Sequence, residues 1–170
     1  MIKILLNLYY RIKNKLRLFI LRFSYDDEKI AEDQKKVFGQ FDLDREKAII
    51  LLNQLYRKHP GLNDLVSEHH TLFAAISIDT KVKSVLEIGT YKGSCTKLFS
   101  VLFPDALITT MDLPDDDPIF SQTYERGELE ARKRFIIERD NLINTCQNVK
   151  FIQENSLKLI HERDSRYELI

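Results

Sequence analysis

The sequence predicts an α/β fold: N-terminal helices followed by the first half of a Rossmann-like parallel sheet, with about three strands plus a partial fourth. Three observations carry this expectation. Short apolar runs at 83–88, 106–111 and 149–153 alternate with helical patterns at 94–103 and 122–145, and such alternation implies parallel strands joined by crossovers. Val85-Leu86-Glu87-Ile88-Gly89-Thr90-Tyr91-Lys92-Gly93-Ser94-Cys95-Thr96 reads as a short buried strand, a tight glycine turn and the start of a helix. Before residue 80 the apolar spacings are helical.

The elements follow in order. In residues 2–23, Leu5, Leu8, Ile12, Leu16, Phe19 and Phe23 recur at spacings of three and four, one apolar helical stripe. Residues 1–25 carry six basic side chains and no acid, whereas the remainder holds 20 basic against 26 acidic residues. This basic amphipathic helix suits the headgroup region of an anionic membrane, with Lys and Arg stems reaching outward. It equally suits packing on its own domain or on a partner subunit, which leaves an oligomer open. It does not span a bilayer: the longest uncharged run, Ile4–Tyr10, is seven residues, against ~20 required. Nor does it read as a secretory signal, since charges recur through it.

Residues 25–40 are polar and read as a linker or a short exposed helix. Asp42–Asp44 offer caps for a helix through Lys58, which His59-Pro60-Gly61 stops. A second helix is expected from Asn63 to Ile78, with Leu65, Leu72, Phe73 and Ile76 at helical spacing. His69 and His70 on it are adjacent, so they cannot form the i,i+4 pair of a helical metal site, and no metal is assigned. The domain organisation expected is residues 1–25 as the basic helix, 26–80 as linker and helical lead-in, and 81–170 as a partial Rossmann-like domain.

Strand one covers Lys83–Ile88, a helix Ser94–Phe103, and strand two Ala106–Met111, ending at Asp112. Leu113–Pro118 is an acidic loop whose Asp115, Asp116 and Asp117 read as solvated charge rather than a calcium loop. A charged helix from about Gln122 to Thr145 uses Leu129, Phe135, Ile136, Leu142 and Ile143 as its apolar face. Val149–Gln153 is strand three, Leu157–His161 a short helix, and Tyr167–Ile170 the beginning of a fourth strand.

The composition, 44% hydrophobic and 31% charged, is that of a globular protein. A formal net charge of zero argues against bulk nucleic-acid binding. Two cysteines, Cys95 and Cys146, suggest no disulfide framework and hence a reducing cytoplasmic setting, with the inner membrane face as the surface available to residues 1–25. Cys95 lies in a helix's first turn but has no basic partner placed by sequence, so it reads as a small packing residue.

Ligands of parallel sheets bind outside the carboxyl ends of the strands. That rule places Glu87–Ser94, Asp112–Leu113 and Asn155-Ser156 along one rim. Gly89 permits a positive φ or the close passage of a ligand. The Tyr91–Ser94 amides, at a helix N-terminus, attract a carboxylate. Asp112 can accept from both hydroxyls of a ribose, and Asn155 or Ser156 could meet an adenine edge. Together these describe a pocket for an adenosine bearing a charged amino-acid tail. Neither G-x-x-x-x-G-K-[ST] nor G-x-G-x-x-G is present. Glu87 would repel a pyrophosphate and suit a ligand carrying ammonium and sulfonium groups.

Glu87-Ile88-Gly89-x-x-x-Gly93, with Asp112 on the next strand, resembles the class I S-adenosylmethionine-dependent methyltransferases. The form E-I-G-T-Y-x-G-x-x-T is similar to their small-molecule and sugar O-methyltransferase branch. The resemblance covers about residues 80–170. It implies that S-adenosylmethionine is the cofactor, that the turn formed by Glu87, Gly89, Thr90, Tyr91, Gly93 and Ser94 holds the methionine part, and that Asp112 holds the ribose hydroxyls. Leu113 would pack on adenine, with Asn155 and Ser156 beside its amino edge. Asn155 stands where many relatives have Asp, and its carbonyl can still accept. The partner implied is a small-molecule methyl acceptor.

The family's sheet has seven strands, so the expectation is an N-terminal fragment holding the cofactor half without the acceptor half, with weak cofactor binding and little turnover. No catalytic residue is assigned. A non-catalytic, membrane-associated adaptor or remnant domain is the alternative.

Overall fold

The computed structural model describes residues 27–59, 61–62, 67–123, 127–159 and 167–169. The amphipathic stripe expected in residues 2–23, and with it the membrane or partner surface assigned to residues 1–25, lies outside them. Among the described residues, no helix is long and apolar enough to cross a membrane. The chain divides into two units, residues 1–42 and 43–170.

In the first unit, Asp27–Gln40 is a 14-residue helix, α1, where the alternatives were a linker or a short helix. Its polarity hid good helix formers, and Lys36 pairs with Glu32 one turn away at 3.0 Å.

The second unit opens with α2, Arg45–Lys58. Asp44 caps it by accepting from the Lys47 amide at 3.0 Å, and His59 closes it. Next comes α3, Glu68–Asp79, with Ser67 at its N-cap position. It starts later than the Asn63 expected, and residues 63–66 are outside the described set. Arg45 at the head of α2 pairs with Glu68 at the head of α3 at 2.6 Å.

Three parallel strands follow: β1 (Ser84–Ile88), β2 (Leu107–Asp112) and β3 (Val149–Gln153). Their order is β1-β2-β3, with Val85 opposite Ile108 and Ile108 opposite Val149. Helix α4, Ser94–Leu102, joins the first two strands; α5, Pro118–Gln122, and α6, Leu129–Asn144, join the second and third. A last short helix, α7, is Ser156–Leu159. The fold is therefore α/β, with the helices and parallel sheet of the first half of a Rossmann-like fold.

The central strand β2 buries four consecutive residues, Ile108 to Met111, as a strand covered on both faces must. Val85, Ile108 and Leu98 are fully buried at the centre of the core. Helix α3 meets α4 through an edge-to-face contact of Phe73 with Phe99 at 4.7 Å. The strand expected at Tyr167–Ile170 begins as a parallel bridge of Leu169 to Val85, and the Leu86 amide donates to the Leu169 carbonyl at 2.8 Å.

Three expectations change. Strand one is not buried throughout: Ile88, at its end, is 51% exposed. The helix expected at Gln122–Thr145 forms as α6 and begins only at Leu129. An unexpected helix, α5, precedes it, because Asp117 accepts from the Ile119 amide at 2.7 Å and Pro118, the last residue of the supposed loop, takes the first helical position. Leu129 does not join the apolar face of α6, being 55% exposed in the first turn.

Candidate functional site

The carboxyl ends of β1 and β2 are tied by the backbone. The Gly89 and Thr90 amides donate to the Met111 carbonyl at 2.8 and 3.2 Å, and the Glu154 amide donates to the Asp112 carbonyl at 3.0 Å. All three strand ends thus share one rim, with the glycine turn at one side and Asn155-Ser156 at the other.

Both turn glycines have left-handed backbones, Gly89 at φ 96° and Gly93 at φ 79°, as does Tyr91 at φ 49°. The glycines differ in what surrounds them. A Cβ on Gly89 would meet nothing within 4 Å, so its bare Cα faces open space. A Cβ on Gly93 would lie 3.2 Å from Ile143 Cγ1, so this glycine serves the packing of α4 against α6. Tyr91 is a non-glycine in a sparsely populated conformation, and its amide donates to Asp112 Oδ2 at 2.9 Å. The Leu113 amide donates to Asp112 Oδ1 at 2.9 Å. One carboxylate therefore anchors the turn on one side and the following loop on the other, and each oxygen keeps a second lone pair.

Two of the amides expected to receive a ligand carboxylate are already committed: Tyr91 to Asp112, and Gly93 to the Thr90 carbonyl at 2.9 Å. Thr90 is buried with its hydroxyl turned inward, 2.6 Å from that of Thr110. Glu87 is buried beneath the turn, and its Oε2 accepts from both Thr96 and Thr110 at 2.5 Å. Burial pushes the Glu87 carboxyl above its ordinary value, although the Thr110, Thr96 and Cys95 side chains oppose the rise. Burial first, then the Glu87 charge, pushes the Cys95 thiol up to about 12. A thiol in that state is a packing residue, whatever its place in the first turn of α4.

Ser94, Asp112 and Leu113 are half-buried at the rim, as are Asn155 and Ser156. Asn155 Oδ1 accepts from the Leu157 amide at 3.0 Å, which caps α7 and leaves one lone pair on that oxygen. A cavity of about 750 Å³ lies at the opposite end of the sheet, among Leu51, Leu55, Ser77, Val82, Val101 and Phe103. Concavity alone does not mark the rim.

Sequence reasoning missed Arg139. Its side chain is fully buried; Nη1 and Nη2 donate to the two oxygens of Asp115 at 2.8 and 3.1 Å, and Nε to Asp140 at 2.9 Å. Burial works against its charge, but Asp115 and then Asp140 more than offset this, so the guanidinium is held above its ordinary value. Asp115 and Asp117 are therefore structural, one paired and one a helix cap, where solvated charge was expected. The Asp117-Pro118 dipeptide is a local capping signal that could have been read. Among the described residues, no group of three or more His, Cys, Asp or Glu side chains is arranged to hold a metal ion.

No family model and no curated protein matches this sequence. Among solved structures, the chain is similar to one described as the crystal structure of a "putative caffeoyl-CoA O-methyltransferase" from Staphylococcus aureus, at 17% identity and a TM-score of 0.35. The match covers 93% of this chain and 59% of that one, so the chain spans less than two thirds of that structure's length. At that identity and score the likeness adds nothing to the fold read from the elements themselves.

Proposed function

We propose that the carboxyl rim of β1–β3 binds S-adenosylmethionine and that the chain acts in S-adenosylmethionine-dependent O-methylation of a small molecule or sugar. The observation that carries this is the pairing of Gly89, whose Cα opens onto free space, with Asp112, whose carboxylate is oriented by two amides and retains two lone pairs. The cofactor fits that donor set. A cis-diol supplies two donors for the spare lone pairs of Asp112, and Gly89, without a Cβ, lets an aliphatic tail pass close to the backbone. When bound, S-adenosylmethionine supplies an electrophilic methyl group on a sulfonium.

The protein's own residues bind and orient. Asp112 would hold the ribose, Leu113 would cover one adenine face, and the spare lone pair of Asn155 would accept from the adenine amino group. Glu87 would set a buried carboxyl rather than a cation beneath the turn, which suits a cationic ligand better than a polyphosphate. A thermal-shift series with S-adenosylmethionine, S-adenosylhomocysteine, ATP and NAD tests the ligand class. The first two are expected to raise the melting temperature. A rise with ATP or NAD alone would replace the proposal with a nucleotide-phosphate site.

A further inference from the structure

Helix α6 turns three buried residues toward the site elements at spacings of four: Phe135, Arg139 and Ile143. Each meets a different part of them. The Phe135 ring lies 5.4 Å from that of Tyr91 in the glycine turn and 5.8 Å from that of Phe120. Ile143 lies against Gly93. Arg139 holds Asp115, three residues beyond Asp112, with both arms of its guanidinium, whose carbon lies over the rings of Phe151, 4.7 Å from the centroid, and Phe120, at 5.9 Å.

A buried ion pair of this kind is a poor way to gain stability, because apolar residues of the same volume commonly do as well. What a bidentate pair adds is orientation, since both planes are fixed at once. The segment it orients runs from Asp112 to Asp117. The Leu113 amide donates to Asp112 at one end of this segment, and Asp117 caps α5 at the other. Arg139 fixes its middle.

The geometry points to Arg139 as a positioning residue for the nucleoside end of the site: by gripping Asp115 it sets where Asp112 and Leu113 stand relative to a ribose and its base. This rests on the reading that the rim binds an adenosine-bearing ligand. Arg139 itself touches no ligand. Its effect is on discrimination, through the Asp112 carboxylate.

The test compares adenosine with 2′-deoxyadenosine by calorimetry on the full chain, in wild type, Arg139→Lys and Asp115→Asn, at a temperature where circular dichroism shows each folded. Wild type is expected to prefer adenosine by about tenfold, the worth of one hydrogen bond to a charged group. In Arg139→Lys, which keeps charge and most of the volume but loses the fork, the ratio is expected to fall close to one. Asp115→Asn, which leaves Arg139 its bond to Asp140, should do the same even where the lysine variant fails to fold. A merely structural arginine would lower melting temperature without moving the ratio. An unchanged ratio in a folded variant overturns the inference and leaves the adenosine reading standing. Failure of wild type to bind either nucleoside overturns both.

Discussion

At the scale of single residues, the two turn glycines separate packing from ligand access. Gly93→Ala forces a side chain into a left-handed backbone and against Ile143. It should cost about 1–3 kcal/mol in urea unfolding. Gly89→Ala is also strained, at its own positive φ, but meets no neighbour, so it lacks the steric part of the cost and its stability loss should be the smaller, while ligand affinity is lost. Equal costs would show that the contact with Ile143 is unimportant.

Glu87 gives a pH signature. It is faced by Thr96 and Cys95 from α4 and by Thr110 from β2, with the Asp112 charge nearby. Because burial raises its folded-state value, the folded chain keeps this proton to higher pH than the unfolded chain. Stability from this group is complete below the unfolded carboxyl value and lost as pH rises through the folded one. Glu87→Gln, which keeps an acceptor for the threonines, should remove that part of the slope. Parallel stability–pH curves for the two proteins would contradict the assignment. Cys95, with its thiol pushed up to about 12, should resist iodoacetamide at pH 8 in the folded chain and react on unfolding, as mass spectrometry of the labelled peptide would show. The turn was legible in sequence because its glycines, acid and apolar strand are contiguous. The commitment of Thr90 and Glu87 to an internal hydroxyl cluster was not, since Thr110 lies 23 residues from Glu87 on another strand.

At the scale of elements, strand three was expected at the residues where it forms, and strands one and two within a residue at each end. Apolar runs between turn residues suffice for that. Helix α5 was not expected, because its cap and proline were read as loop where three aspartates dominated the pattern. Arg139 was invisible for a different reason: it interrupts an apolar stripe as a charge, and its partner Asp115 lies 24 residues away. Asn148 is the same kind of tie. Its Nδ2 donates to the Phe103 and Ala106 carbonyls at 3.0 and 2.9 Å, and its Oδ1 accepts from Ser100 at 2.6 Å, joining the end of α4 to the starts of β2 and β3. Asn148→Ala should cost about 1–3 kcal/mol in urea unfolding. Asn148→Asp, which sets an oxygen against those carbonyls, should cost more despite its matching shape. The reverse order would rule out the amide as the clamp.

At the scale of the whole molecule, parallel strands bring Glu87, Asp112 and Asn155 to one rim although 68 residues separate the first from the last. Topology alone does this, and it was legible from the alternation of strand and helix. The central claim is that the rim holds S-adenosylmethionine through Asp112. Its most direct test is calorimetric titration of S-adenosylhomocysteine into the full chain and into Asp112→Ala. Saturable binding in wild type that falls at least about tenfold in the variant is the expected result, the loss of hydrogen bonds to a charged group. A folded wild-type chain that takes up no ligand, or an Asp112→Ala variant that binds as tightly, would contradict it.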